Sequence, residues 1–173
     1  MTAKERFIDR QIEHIRKVQD NMILLEKNLD KLPFKIKDFE ILRRGMQHDL
    51  DKFSANSAPD YVRIEEYKYN QRNGIPNIEI DKDELYRCSN EHYKTQQHHD
   101  LFHEINNTEF SDLDVCEVCC DLMAVSEREN GDIIKFLEEK KFPTSKVFNK
   151  RRDDILKIIN LLIELKTKNK VEE

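Results

Sequence analysis

Apolar residues recur along this chain at intervals of three, four or seven positions, the spacing of one face of an α-helix. The first such stripe comprises Ile8, Ile12, Ile15, Met22, Leu25 and Leu29. It predicts a helix over about residues 3–29, which ends before Pro33. A second helix is predicted over residues 37–49, where Gly45 permits close approach of a neighbouring element.

Further amphipathic segments follow in the middle of the chain. Helix-start signals at Ser57 and Pro59 predict a third helix to about residue 70. The pattern over residues 81–95 indicates another helix. The polar, histidine-rich residues 96–110 favour a short helix flanked by loop.

The most apolar segment begins at Ser111, which forms with Asp114 a pattern similar to a capping box, with Asp in place of Glu. This segment predicts a strongly buried helix to about residue 128. A short helix is expected over residues 132–140 and a final amphipathic helix over residues 145–165.

Two breaks separate these last three helices. The turn signal at Asn130 and Gly131 is expected to end the buried helix. Pro143, which cannot continue a helix, is expected to separate the last two.

The composition agrees with an all-α fold. Gly (3) and Pro (4) are scarce, and 38% of the 173 residues are charged. A chain of about 150 residues can bury roughly 68–70% of its unfolded surface, enough for one core. We therefore predict a single compact helical bundle of about six to seven helices, with residues 1–165 as the domain and residues 166–173 as a charged, frayed tail.

The charge and hydropathy of the chain disfavour several classes of protein. A net charge of −5 provides no dominant basic field for a nucleic-acid backbone, so general nucleic-acid binding is not expected. No apolar run approaches the roughly 20 residues needed to span a bilayer, and the N-terminus lacks the apolar region of a secretory signal. We expect a cytoplasmic protein that does not enter the membrane.

Four cysteines are present: Cys88, Cys116, Cys119 and Cys120. Three of them crowd into about one helical turn, where disulfide geometry is poor, and we expect reduced, packed thiols. Cys116 and Cys119 have the spacing of half a zinc knuckle, but no second pair completes it.

The candidate chemistry lies in histidine and aspartate. The six histidines are His14, His48, His92, His98, His99 and His103, four of them between positions 92 and 103. Imidazole and carboxylate are natural ligands for borderline-hard divalent metals. Glu117 and Asp121 share one face of the predicted buried helix, where two carboxylates are costly to bury without a cation.

The order of these residues carries a family resemblance. His48 and Asp49 form an HD pair, preceded by His14 on an earlier helix and followed by Asp121 on a later one. This arrangement resembles the H…HD…D signature of the HD-domain phosphohydrolase superfamily. Lys52 completes the sequence HDLDK, which is similar to the HDxxK form of that superfamily, whose Lys lies near the substrate phosphate.

A closer resemblance covers about residues 12–137. His92, the pair His98-His99 and the EVCCD sequence of residues 117–121 are similar to a small phage and bacterial HD-like family with HDLSKFS, H…HH and ExxCD motifs. This chain departs from that pattern at Asp51, where the family has Ser.

The resemblance implies an HD-like bundle that binds one or two divalent transition-metal ions (Mn, Fe, Co, Ni or Zn). By that analogy, the ligands of one ion are His14, His48, Asp49 and Asp121. A second ion would be held by Asp49, His92 and either His98 or His99. Lys52 would then neutralise charge on the substrate phosphate, and Glu117 would orient a ligand or serve as general base.

The implied function is a metal-dependent phosphohydrolase acting on a nucleotide or a similar small phosphorylated substrate, a phosphomonoester or a phosphodiester, in the host cytoplasm if a phage encodes it. Two alternatives stay open: a non-catalytic HD-like module that binds a nucleotide or partner, and a di-iron oxygenase with the same ligands. A homodimer face is also compatible with several helices around one core.

Two of these residues have a simpler interpretation than a role at a metal site. His103 has no position in the motif and is expected at the surface. Glu117 has an ordinary alternative, an ion pair with Arg43 or Arg44.

Overall fold

The protein is all-α, as the sequence predicts. The computed structural model describes residues 1–129, 131–140, 142 and 145–172, the last four by their backbone alone. Within these residues there is no strand, and the helices number ten, more than the six to seven predicted. They are α1 (Ala3–Glu26), α2 (Glu40–Gly45), α3 (Ala58–Arg72), α4 (Lys82–Leu85), α5 (Arg87–Thr95), α6 (Asp100–Asn106), α7 (Asp112–Glu129), α8 (Ile133–Glu139), α9 (Lys146–Lys150) and α10 (Arg152–Glu172).

The predicted first helix is α1, which begins with a capping box. The side chain of Thr2 accepts a hydrogen bond from the backbone N–H of Glu5, and the carboxylate of Glu5 accepts one from the backbone N–H of Thr2. These contacts satisfy two donors that a helix start would otherwise leave unpaired. The helix ends at Glu26, a little earlier than predicted, and a 3₁₀ turn follows at Leu29–Lys31.

The centre of the fold is α7, which packs against α1, α2, α8 and α10. Its predicted capping box is present: Asp114 Oδ2 accepts from the Ser111 backbone N–H at 2.8 Å, and Ser111 Oγ accepts from the Asp114 backbone N–H at 3.2 Å. All four cysteines are buried free thiols, so the expectation of reduced cysteines agrees with the structure.

Two predicted helices are divided in the structure. The segment 81–95 breaks at Tyr86, where α4 ends and α5 begins, and the segment 145–165 breaks at Arg151. The hydrophobic pattern continues across both points, so periodicity alone does not show these breaks.

The C-terminal helix is longer than predicted. α10 continues to Glu172, through most of the segment predicted as a frayed tail. The breaks predicted at Asn130 and Pro143 fall on residues outside those that the structure describes. In the part of the chain that is described, no helix is both long and apolar enough to span a bilayer.

Candidate metal centre

All nine residues singled out from the sequence meet around one centre. α1 provides His14, α7 provides Glu117 and Asp121, and α5 provides His92. The remaining five lie outside the α-helices: His48, Asp49 and Lys52 follow α2, and His98 and His99 precede α6. The ligands of the proposed ions therefore come from three helices and two connecting segments.

The backbone at Asp49 turns sharply to place the HD pair. Asp49 has φ of 59°, the left-handed conformation that aspartate tolerates better than most residues, and a 3₁₀ turn at Leu50–Phe53 follows it. The helix predicted over residues 37–49 is shorter in the structure: it begins at Glu40, after Phe39 with φ of 68°, and ends at Gly45. Asp49 is 1% exposed, so its carboxylate points into the protein.

One oxygen of Asp49 faces the first predicted ligand set. Asp49 Oδ2 lies 3.4 Å from His14 Nε2 and 3.6 Å from His48 Nε2. His14 Nε2 lies 3.1 Å from Asp121 Oδ1 and 3.4 Å from His48 Nε2. Two imidazole nitrogens and two carboxylate oxygens thus converge on one small region.

The other oxygen of Asp49 faces the second set. Asp49 Oδ1 lies 3.1 Å from His92 Nε2 and 3.9 Å from His98 Nε2. The ring of His99 packs beside both, with its centroid 4.1 Å from that of His98 and 4.8 Å from that of His92. Asp49 therefore stands between the two histidine groups, as a bridging carboxylate would.

The donors of this centre could hold a metal ion. Four groups of residues place ligand atoms within 4.8 Å of one another: His14, His48 and Asp121; His92, His98 and His99; His48, Asp49 and His98; and Asp49, Asp51 and His92. His92 Nε2 and Asp49 Oδ1 are buried, and among the described residues neither has a hydrogen-bond partner, although they are 3.1 Å apart. Buried polar atoms are rarely left unpaired, and imidazole nitrogen with carboxylate oxygen suits a divalent transition metal.

A second layer of carboxylates orients three histidines. Glu117 Oε1 lies 3.0 Å from His48 Nδ1 and 3.2 Å from His98 Nδ1, while Asp51 Oδ2 lies 2.8 Å from His92 Nδ1. An ionised carboxylate only accepts hydrogen bonds, so these contacts place a proton on each Nδ1 and leave Nε2 free to bind a metal.

Glu117 also forms the ion pair suggested as its alternative. Arg44 Nε donates to Glu117 Oε2 at 2.5 Å, and the same guanidinium pairs with Asp114 and donates to Gln97 Oε1 at 2.6 Å. One carboxylate oxygen of Glu117 therefore faces the histidines, and the other faces Arg44.

The expectation that His103 lies at the surface is wrong. His103 is 4% exposed, its Nε2 lies 2.7 Å from the carbonyl oxygen of Gln97, and its Nδ1 lies 2.9 Å from Thr108 Oγ1. It ties α6 to the segment that carries His98. Its partners are a backbone carbonyl and a hydroxyl, which a motif search does not reveal.

The charges of the centre shift one another's pKa values. Burial alone would lower the pKa of His14, but hydrogen bonds to Asp121 and Asp49 raise it above its ordinary value. Burial opposes the shift at Glu117 too, yet hydrogen bonds from His48 and His98 lower the pKa of that carboxyl. Without a metal, these imidazoles and carboxylates stabilise one another in their charged forms.

His99 behaves differently. Burial, with the nearby His98 and His92, lowers the pKa of His99 to about 2, so this imidazole is neutral at pH 7. Its Nε2 is buried and has no hydrogen-bond partner among the described residues. A neutral imidazole is the form that binds a metal.

The centre opens into a cavity of about 270 Å³. Lys52 lies in its wall with Nζ 2.5 Å from Asp49 Oδ2, and Gln11 Nε2 donates to the same oxygen at 3.0 Å. No sequence motif predicts a role for Gln11, for Asp51 or for the further cations of the wall. Helical spacing offered a signal for Gln11, which lies one turn before His14.

Comparison with known proteins gives one match. The sequence model of a family of unknown function (DUF5662) matches residues 3–165, and the chain belongs to that family. No curated protein and no solved structure matches the chain.

Proposed function

We propose that this member of DUF5662 is a metal-dependent phosphohydrolase of the HD type, which acts in the cytoplasm on a nucleotide or a similar small phosphorylated molecule. One observation carries the proposal: the two oxygens of Asp49 face two separate histidine groups, and Nδ1 of His48, His92 and His98 is in each case held by a carboxylate. Ligand sets with such outer partners are typical of metal sites.

The metal ions would supply the reactive chemistry. A divalent ion bound there lowers the pKa of a coordinated water toward neutrality and polarises a phosphoryl oxygen. His14, His48, Asp49 and Asp121 would hold one ion, and Asp49 with His92 and His98 or His99 a second. His99 is the weaker candidate of the last two, because no carboxylate holds its ring.

The protein's own residues then position the substrate. Lys52 is half-buried beside Asp49 and faces the cavity, where its ammonium group would neutralise charge on a phosphoryl group. Glu117 acts as a positioning residue, since both of its oxygens are already engaged by His48, His98 and Arg44. The other role considered for Glu117, general base, would require it to leave these partners.

The cavity favours a small substrate. Its volume of about 270 Å³ lies near the lower end of the roughly 300–1,000 Å³ common for small-molecule sites. Polar groups dominate its wall around Asp49, which suits a phosphate better than an apolar ligand. These features do not distinguish phosphomonoesters from phosphodiesters, so both classes belong in the test.

A hydrolysis assay tests this proposal. The purified protein is incubated with Mn²⁺, Co²⁺, Ni²⁺ or Zn²⁺ and with p-nitrophenyl phosphate, bis(p-nitrophenyl) phosphate and a panel of nucleotides. We expect turnover with at least one metal, and a loss of about 10²-fold in kcat/KM in Lys52→Met with metal content unchanged. Lys94→Met, on a lysine that is 44% exposed and outside the cavity, is the matched control.

Each alternative function has its own outcome. A protein that binds metal and nucleotide but hydrolyses no substrate is a binding module. A coloured, oxygen-sensitive iron protein that is inactive with manganese is an oxygenase. Either result overturns the phosphohydrolase proposal while leaving the metal centre in place.

A further inference from the structure

The cavity wall contains cations that the proposed chemistry does not use. They are Arg10 on α1, Lys68 on α3 and Arg128 on α7. Arg10 precedes His14 by about one helical turn, and Arg128 follows Asp121 by about two turns. Both therefore lie on the helix faces that carry ligands of the metal centre.

Among the described residues, the one carboxylate that forms an ion pair with any of these three cations is Glu65, and it is shared. Glu65 Oε2 accepts from Arg10 at 2.9 Å, while Glu65 Oε1 accepts from Arg72 at 3.1 Å. Among the described residues, neither Lys68 nor Arg128 has a carboxylate within 4.0 Å. Because Glu65 is shared between Arg10 and Arg72, its single negative charge does not neutralise the cations at this end of the cavity.

The acidic side chains near Arg128 do not supply the missing charge. Glu129, Asp121 and Glu13 are close enough to influence Arg128. Asp121 faces His14 at 3.1 Å in the metal centre, while Glu13 and Glu129 are exposed and pair with Lys17 at 2.8 Å and Lys140 at 3.9 Å, respectively. Exposed pairs of this kind are screened by solvent. They cannot replace a ligand bound inside the cavity.

The cations also repel one another. Burial, and after it the charge of Arg10, lowers the pKa values of both Lys68 and Arg128. Nζ of Lys68 also lies 5.8 Å from the centroid of the Tyr86 ring. Half-buried cations arranged in this way are stabilised by an anion that enters between them.

We propose that Lys68 and Arg128, assisted by Arg10, bind a second anionic group of the substrate, so that the site accepts a small molecule with two separated phosphate groups. This inference rests on the proposed function, because it places the first phosphate at the metal centre beside Lys52. Both positions line the same cavity, so one molecule reaches both.

A binding series with defined probes tests this inference. The probes are propyl phosphate and α,ω-alkanediol bisphosphates of three to eight carbons, titrated calorimetrically into the Mn²⁺-loaded protein. We expect one bisphosphate length to bind at least about tenfold more tightly than the monophosphate, which corresponds to about 1.4 kcal/mol. Lys68→Met and Arg128→Gln should abolish that gain and change monophosphate affinity less than twofold.

The controls separate this inference from the proposed function. Lys135→Met, on a side chain that is 66% exposed and outside the cavity, should keep the full gain. Melting temperatures show that each variant is folded. A gain that is absent at every length, or that survives in both variants, overturns the second phosphate site alone. Failure of both probe classes to bind, or of the hydrolysis assay, counts against the proposed function itself.

Discussion

In three histidines of the centre, a carboxylate lies within hydrogen-bond distance of Nδ1, the ring nitrogen that faces away from the candidate metal position. Glu117 holds His48 and His98, and Asp51 holds His92 at 2.8 Å. Such contacts fix the tautomer and the orientation of the ring, and they make Nε2 a stronger donor. We therefore expect the metal affinity of the proposed centre to depend on Glu117 and Asp51 as well as on the histidines themselves.

Asp51→Asn tests this dependence. The amide keeps the size of the side chain but removes its charge, so the hold on His92 weakens and metal affinity should fall about 10- to 100-fold. Competition with a chelator of known affinity measures the change. Glu91→Gln, on the same helix as His92 but 61% exposed, is the control and should leave metal affinity unchanged. Equal affinity in Asp51→Asn and the wild type would show that Asp51 has no orienting role.

The sequence predicts the candidate metal ligands better than it predicts the carboxylates that hold those ligands in place. His14, His48, Asp49 and Asp121 follow from the order of residues in a motif, which constrains the ligands themselves. The contact of Asp51 with His92 depends on how the 3₁₀ turn after Asp49 packs beside α5, and no local pattern encodes that packing. His103 was misplaced because its partners are a backbone carbonyl and a hydroxyl.

At the scale of elements, the packing of α1 against α2 places the HD pair. Gly45 ends α2 and lies against Met22 of α1, so a Cβ at position 45 would overlap the Met22 sulfur. The sequence analysis anticipated a close approach at this glycine. His48 follows Gly45 by three residues, so a shift of α2 would move the HD pair away from His14.

Gly45→Ala should therefore destabilise the protein by about 1–3 kcal/mol through overpacking. Denaturant unfolding measures the loss, and a double-mutant cycle with Met22→Ala identifies its cause. If the methionine is responsible, Gly45→Ala costs less in the Met22→Ala background. An equal cost in both backgrounds would assign the effect to something other than this contact.

Hydrophobic spacing predicts where a helix occurs better than it predicts where that helix ends. The stripes of α1 and α7 extend over several turns and are set by burial against each other, which hydrophobic spacing records directly. The predicted second helix is shorter than expected, and residues with a left-handed backbone, Phe39 and Asp49, lie on either side of it. The break at Tyr86 interrupts a hydrophobic pattern that continues, so its cause lies in tertiary packing.

For the molecule as a whole, the titratable groups of the centre make the stability of the folded protein depend on pH. Despite burial, hydrogen bonds that His14 donates to Asp121 and Asp49 raise the pKa of His14, and nearby carboxylates likewise raise the pKa of His48 and His92. A raised pKa in the folded state stabilises the protein fully below the unfolded pKa of about 6.5, and this stabilisation is lost as pH rises through the folded value. The carboxylates have lowered pKa values, so their contribution is lost only as pH falls below about 4.

His99, with its lowered pKa, acts in the opposite sense, but three histidines have raised pKa values. The metal-free protein should therefore melt at a higher temperature at pH 6 than at pH 8, by about 2–4 °C for each kcal/mol of net coupling lost. Saturating Mn²⁺ should act in the opposite sense, with a larger stabilisation at pH 8, because ligation requires neutral imidazoles. Calorimetry of chelator-treated and Mn²⁺-loaded protein measures both effects. A melting temperature of the metal-free protein that rises from pH 6 to pH 8 would contradict this account.

The most direct test of the account is the metal content of the purified, tag-free protein. Elemental analysis should find about one to two equivalents of a divalent transition metal. Asp49→Asn should lose it, whereas Asp100→Asn should keep it; Asp100 follows His99 in the second His-Asp pair of the chain, and its carboxylate caps the N–H of Leu101. A folded wild-type protein that contains no metal and takes up none when Mn²⁺, Co²⁺, Ni²⁺, Zn²⁺ or Fe²⁺ is added would contradict the metal centre.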